Sequence, residues 1–333
     1  MHIEAFSRGK IHASPQENED AFILVPHHLY AVIDGATDRL GTRYNGMYAG
    51  RYAALLVKQT IEEQFMLHDR TLPELAVLLA AINQRFQAAY RDHGILEQAR
   101  SNATYRFTAT LALIEQHADH VDLTLVGDSG IRINGTQLFQ MTKDLDHITS
   151  LLRQAGWQFL LQLDMDSDER EKASRLLCFQ GLAFIAGADQ NWFDDKAVTA
   201  IRSRAMAQAV HDLPHVPPSL ILHLLDHGIV HGQHVYQNNE ATCLGYAAID
   251  GFDIPNNLIE THRIASDKVH SIELFSDGYF EPPADFGVAA WEASHQEVER
   301  IDPAKVVRWL GQKGTTPAQW TDDRTYLEIR SAL

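Results

Sequence analysis

The run Val121-Asp122-Leu123-Thr124-Leu125-Val126-Gly127-Asp128-Ser129-Gly130-Ile131-Arg132-Ile133-Asn134-Gly135-Thr136-Gln137-Leu138-Phe139-Gln140-Met141 decides the fold. Val121, Leu123 and Leu125 alternate with Asp122 and Thr124, the period of a half-buried strand. Gly127-Asp128 breaks that run, and residues 131–133 begin another. Asn134-Gly135 is the dipeptide of a two-residue hairpin turn, which leads into 137–141.

Working outward, 108–114 reads as a strand, and 21–25 and 29–33 flank Pro26-His27-His28 as a hairpin. From Tyr44 to His68 apolar residues recur at helical spacing, as at Tyr48, Tyr52, Leu55, Leu56 and Ile61. Thr71-Leu72-Pro73-Glu74 predicts a second helix start, with Thr71 as cap, running to about Tyr90. The two helices are expected to lie antiparallel. Downstream, 144–236 is poor in strand signals. Its apolar groups, such as Leu151, Leu152, Ala155 and Leu160, read as helical and are broken by Pro214, Pro217 and Pro218, so 146–236 is expected to be a helical insertion. Strand signals return at 244–249, 258–264, 271–275 and 325–329, with a helix expected near 303–312. Strands on both sides of a helical insert predict one interrupted sheet-based domain over 1–333.

The chain has 333 residues and a net charge of −16. That balance disfavours nucleic acid, whose phosphates are bound by Lys and Arg, and anionic lipid for the same reason. A hydrophobic content of 45% is enough to build a core. There is no leader-like apolar segment at the N-terminus and no run long enough for a membrane helix, so a cytoplasmic location is expected. Cys178 and Cys243 form no disulfide framework and read as small buried hydrophobes.

Several acids stand where apolar runs end. Asp34 follows 29–33 and precedes Gly35, Asp128 follows Gly127, and Asp277 follows 272–275 and precedes Gly278. Glu19-Asp20 and Asp322-Asp323 each stand just before a strand. One such Asp-Gly is an ordinary turn, but several together fit the binding of hard divalent cations through oxygen. Two ions about 3.5–4 Å apart can activate a water and hold a phosphoryl group for in-line attack.

At this point the chain resembles the metal-dependent serine/threonine protein phosphatases of the PP2C (PPM) family, bacterial type. The resemblance is carried by Asn18-Glu19-Asp20-Ala21-Phe22, Ala31-Val32-Ile33-Asp34-Gly35-Ala36, Leu125-Val126-Gly127-Asp128-Ser129-Gly130, Met141-Thr142-Lys143-Asp144, Leu274-Phe275-Ser276-Asp277-Gly278-Tyr279 and Thr321-Asp322-Asp323-Arg324-Thr325, in the family's order. It covers about 1–145 and 240–333. It implies an α+β fold, a sandwich of two antiparallel β-sheets flanked by helix pairs, and hydrolysis of phosphoserine and phosphothreonine on proteins by a metal-activated water. Two Mn²⁺ or Mg²⁺ ions are implied, with a weaker third in some members. Asp34 would bridge both ions, Gly35 would give its carbonyl to the second and Glu19 would hold it, often through water. Asp20 would hydrogen-bond metal waters. Asp277 and Asp322 would bind the first ion, with alignment on Thr325 choosing Asp322 over Asp323. Asp128 and Glu281 would take the third.

The chain also departs from the family. Pro15 stands where many members carry a phosphate-binding Arg, leaving Arg8, Lys10 or His12 as substitutes, and Ala36 stands where eukaryotic members often carry a His. The alternatives are a catalytically inactive relative that binds a partner, or a hydrolase of small phosphate esters. The insertion would serve as a lid, a partner surface or bulk. Elsewhere, His223, His227, His231 and His234 fall at helical spacing, but Gly228 and Gly232 weaken that helix and no HExxH pattern is present, so partly exposed histidines on an insertion helix are expected rather than a zinc site. Asp164, Asp166 and Asp168 imitate an EF-hand opening without its Gly or its final Glu, and are expected to cap the helix that follows. Trp192, Trp291, Trp309 and Trp320 are expected in packing.

Overall fold

The computed structural model describes residues 1–37, 40–185 and 192–330, so 38–39, 186–191 of the insertion and the last three residues lie outside it. In chain order the strands are His2–Arg8 (β1), Ala21–Val25 (β2), Leu29–Gly35 (β3), Arg43–Tyr44 (β4), Met47–Tyr48 (β5), Ala109–Gln116 (β6), His120–Val126 (β7), Gly130–Ile133 (β8), Gln137–Gln140 (β9), Glu260–Ala265 (β10), Ser271–Phe275 (β11) and Arg324–Arg330 (β12). The helices are Ala49–Leu67 (α1), Leu75–Asp92 (α2), Leu96–Ser101 (α3), Asp144–Leu160 (α4), Ser167–Gln180 (α5), Leu182–Ile185 (α6), Asp195–Asp212 (α7), Pro218–His227 (α8) and Val288–Ile301 (α9).

Two five-stranded sheets stack, in the orders β1-β12-β11-β8-β9 and β10-β7-β6-β3-β2. Every pairing in them is antiparallel. Tyr30, Val32, Ile114, Leu123, Leu125, Ile131, Leu274 and Leu327 meet between the sheets. Leu29, Ala31, Ile33 and Leu111 point the other way, against Ala53, Val57 and Ile61 of α1 and Ile82 and Phe86 of α2. Strand β3 is therefore covered on both faces, which is why its sequence is unbroken apolar rather than alternating. Each such fully buried side chain contributes roughly 1.5–3 kcal/mol. On the outer face of the first sheet, Trp291 of α9 packs on Phe275 and Tyr326.

The hairpin turn at Asn134-Gly135 forms with both residues at positive φ, 55° and 71°. Other expectations shift. Helix α2 starts after Glu74, because Thr71 spends its hydroxyl on the carbonyl of His68 (2.7 Å). Residues 43–48 form the β4–β5 hairpin, so α1 starts at Ala49. No helix forms at 303–312: the Asp302 carboxylate accepts the backbone N–H of Val306, Val307, Arg308 and Trp309 (2.9–3.2 Å) and winds that segment into a tight loop. Residues 244–249 make isolated bridges rather than a strand.

Between β9 and β10 the regular elements are helical among the described residues. Helix α4 is the hub, burying Leu145, Ile148, Leu152 and Ala155 on one stripe against α5, α7 and α8. Asp166 caps α5 through the N–H of Glu169 (2.8 Å). The same core takes in Leu244, Tyr246 and Ala248, so the insertion shares its interior with the body. Among the described residues no helix is long and apolar enough to cross a membrane.

Candidate active site

Antiparallel pairing brings the acidic strand ends to one edge of the sandwich. Ala21, which opens β2, pairs with Ile33 near the close of β3, and Phe275, which closes β11, pairs with Tyr326 near the start of β12. Asp34, Asp128, Asp277 and Asp322 consequently line one cleft of about 160 Å³, with Gly35, Lys143, Lys313 and Arg106. Glu19 and Asp20 lie buried behind it. Glu281 does not join them. Its carboxylate accepts Trp309 Nε1 (3.0 Å) and pairs with Arg308 (3.2 Å), 45% exposed and outside the cleft lining.

Lys10 organises the rear wall. Its ammonium, itself buried, reaches Glu19 Oε2 (2.8 Å), Thr37 Oγ1 (2.9 Å), Asp322 Oδ1 (3.1 Å) and Asp323 Oδ2 (2.8 Å). Burial opposes its charge, but Asp322, Glu19 and Asp323 outweigh that and hold its pKa well above the ordinary lysine value. Of the three candidates to replace an Arg at Pro15, only Lys10 stands here. Arg8 is exposed opposite Arg324, and His12 meets Trp320 edge to face. Asp322 faces the cleft and also pairs with Lys313 (2.8 Å), whereas Asp323 turns back to the N–H of Lys10 (2.8 Å). Burial would raise the Asp322 carboxyl, but Lys10 and Lys313 carry it below the usual range.

Asp128 follows Gly127, whose φ of 88° makes the turn, and pairs with Lys143 (2.7 Å). Asp34 and Asp277 differ: neither has an ion-pair partner among the described residues. They face each other closely enough to share a proton. Burial, then the charges of Asp20, Asp322 and Asp128, pushes the Asp34 carboxyl well up. Asp277 keeps an edge exposed to the cleft, yet the surrounding protein and then Asp34, Asp128 and Asp322 push it well up too. The crowding of like charge is the part that solvent contact at one edge leaves in place.

Asp20 accepts Ser276 Oγ and Thr325 Oγ1 (both 2.8 Å) on one oxygen, and burial followed by the charge of Asp323 pushes its carboxyl up to about 8. Asp20 Oδ1 and Glu19 Oε1 are buried with no hydrogen-bond partner. Gly50 is the contact the sequence did not advertise. A Cβ there would lie 2.4 Å from the Gly35 carbonyl oxygen and 2.6 Å from Glu19 Oε1, so only glycine lets α1 start against these two oxygens. Lys313 was equally hidden, since nothing local marks a lysine in an irregular loop.

Buried orphan oxygens, an unpaired acidic couple and an all-oxygen donor set fit hard divalent cations. The carboxylates are spread wider than a closed cage: among the described residues no three of them bring ligand atoms within 4.8 Å of one another. Mg²⁺ and Mn²⁺ sites that retain several waters do not require such closure.

No protein-family model matches the sequence, and no curated protein matches it. Among solved structures the chain is similar to the Mycobacterium tuberculosis serine/threonine phosphatase PstP/Ppp, at 16% identity and a TM-score of 0.43, covering 100% of this chain and 99% of that one. It is similar to the catalytic domain of PstP in complex with two manganese ions at 17% and 0.43, covering 98% and 96%. It is similar to Stp1 from Staphylococcus aureus at 12% and 0.43, covering 100% and 96%. Likeness at these values says nothing of activity, which has to be argued from the cleft itself.

Proposed function

We propose that the protein is a metal-dependent phosphatase that hydrolyses phosphoserine and phosphothreonine on proteins. The observation that carries this reading is the pair Asp34 and Asp277, without an ion-pair partner among the described residues, facing one another in a cleft that Asp128 and Asp322 also line. Asp34, Asp277 and Asp322 would hold one Mn²⁺ or Mg²⁺, and Asp34, the Gly35 carbonyl and Glu19 Oε1 a second. Bound there, such ions supply Lewis acidity and an activated water. Asp20 is anchored through one oxygen by Ser276 and Thr325, and its other oxygen, buried with no hydrogen-bond partner among the described residues, suits it to hydrogen-bond water in the cleft. Lys143, Lys313 and Arg106 supply positive charge to phosphoryl oxygens. Asp128, paired with Lys143, is the candidate ligand for a weaker third ion; Glu281 is engaged elsewhere. Phe179, Ile229 and Gln233 of the insertion wall the cleft, which favours a part for the insertion in admitting substrate.

Phosphate release from a phosphopeptide should require Mn²⁺ or Mg²⁺, stop with EDTA, and fall on the order of 100-fold or more in Asp34→Asn, the scale of losing one electrostatic contact in a reaction centre. Release that persists in EDTA, or is unchanged in Asp34→Asn, overturns the reading. One observation favours a second reading, an inactive relative that binds a partner: the ammonium of Lys10 already occupies the space between Glu19, Asp322 and Asp323 and pairs with all three. Calorimetric titration separates the two, because the enzyme binds two Mn²⁺ and the inactive module binds none.

A further inference from the structure

At the far end of the second sheet, the β6–β7 hairpin carries Glu115-Gln116-His117-Ala118-Asp119-His120-Val121-Asp122. Leu29 pairs with Glu115, while Asp34 pairs with Thr110, so this end lies about 17 Å along the strand from the cleft. His117 Nε2 lies 3.6 Å from Asp122 Oδ2, and His120 Nε2 lies 3.5 Å from the same oxygen. Glu115 Oε2 is 3.6 Å from His117 Nε2. The ligand atoms of His117, His120 and Asp122 all fall within 4.8 Å of one another, the one such group among the described residues. A tetrahedral ion with bonds of about 2.0–2.1 Å spaces its ligands about 3.3–3.4 Å apart. The two distances to Asp122 Oδ2 need only a few tenths of an ångström of contraction.

The groups behind these atoms are arranged as a metal site requires. His120 Nδ1 is 2.6 Å from Asp119 Oδ1, which directs Nε2, with its lone pair, at the shared point. Glu115 Oε1 is held by the N–H of Leu72 (2.7 Å), leaving Oε2 turned to His117. Arg263 on the neighbouring β10 fixes Asp122 through two hydrogen bonds of 2.7 Å. The two imidazole rings stack, with centroids 4.3 Å apart. The four side chains are 16–29% exposed, open enough for an ion to enter.

We infer that His117, His120 and Asp122, with water in the fourth position, form a transition-metal site of the Zn²⁺ class, separate from the hard-cation cleft. Two imidazoles and a carboxylate suit Zn²⁺ or Co²⁺ over Mg²⁺, which prefers oxygen alone. The ion would staple the hairpin turn to the strand that follows it. This inference does not depend on the phosphatase reading.

The test uses full-length protein stripped of metal, titrated with Co²⁺ and read by visible absorption, and titrated with Zn²⁺ by calorimetry. One equivalent of Co²⁺ should give intense tetrahedral bands in wild type and equally in Asp34→Asn. The bands should vanish in the double variant His117→Ala/His120→Ala, whose fold is checked by circular dichroism. Asp119→Ala, which removes only the group orienting His120, should weaken Zn²⁺ binding roughly 10-fold. Zn²⁺ affinity equal in wild type and the double variant overturns the inference and leaves histidine–carboxylate pairs only. Bands that vanish in Asp34→Asn but persist in the double variant overturn it as well, since the ion then sits in the cleft.

Discussion

A single ammonium, that of Lys10, stands among three carboxylates of the rear wall. Removing one partner from a buried ionic cluster leaves the others uncompensated, which costs about 3–5 kcal/mol. Lys10→Met should therefore lower the unfolding temperature of metal-free protein sharply, and Mn²⁺ should restore more stability to the variant than it adds to wild type. Thermal unfolding with and without Mn²⁺ checks this; an equal Mn²⁺ response in both proteins would show that Lys10 and the ion do not answer to the same carboxylates. Gly50 offers a prediction of the opposite kind, steric rather than electrostatic. A methyl group there has to displace the Gly35 carbonyl and Glu19 Oε1, so Gly50→Ala should weaken Mn²⁺ binding by roughly 10–100-fold while the fold persists. Calorimetric titration reads the change directly.

Helix α9 is the element that covers the outer face of the first sheet, and it carries His295 into an apolar and cationic setting. Burial, and then the charge of Arg324, holds that imidazole down at about 4, with Glu292 opposing and Lys305 and Arg8 adding to the effect. The folded protein keeps His295 neutral, while the unfolded chain takes up a proton below about 6.5, its ordinary value. The stability tied to this group is whole above pH 6.5 and is lost as pH falls toward 4, by up to about 3 kcal/mol. Urea midpoints at pH 7.5 and 4.5 should thus drop less for His295→Leu than for wild type. Local signals of this chain were legible where backbone chemistry left one choice, as at Asn134-Gly135, or where an acid closed an apolar run, as at Asp34, Asp128 and Asp277. They failed where a side chain changed partner. Thr71 turned back to His68, so α2 began later, and Asp302 gathered the N–H groups of residues 306–309 that a helix would have used. Lys313 and Gly50 come to the cleft only through tertiary packing, which no spacing in the sequence records.

At whole-molecule scale, a buried ion pair of the insertion grips a loop of the body. Arg153 of α4 pairs with Glu171 of α5 and donates to the carbonyls of Lys305 (3.2 Å) and Gly311 (3.0 Å), and Glu171 accepts the N–H of Gly314 (2.8 Å). The loop so held carries Lys313 and leads to Asp322. Glu171→Ala should therefore cost about 3–5 kcal/mol and also weaken Mn²⁺ binding, although it touches no cleft residue; unfolding and titration on one preparation test both. The charge of −16 acts at the same scale. Lys143, Lys313 and Arg106, the cations lining the cleft among the described residues, are each paired with an acid, Asp128, Asp322 and Asp250 respectively. The long-range field around the cleft is therefore set by the acidic excess, which repels an anionic substrate and attracts a cationic one. A phosphopeptide flanked by Arg or Lys should then be turned over with a higher kcat/KM than one flanked by Asp or Glu. The gap should be wide at 0.01 M salt, where screening reaches only beyond about 30 Å, and should narrow at 0.15 M, where it sets in at about 8 Å. If the ratio of the two kcat/KM values does not move with ionic strength, selection is made by contacts inside the cleft and the acidic surface takes no part in it.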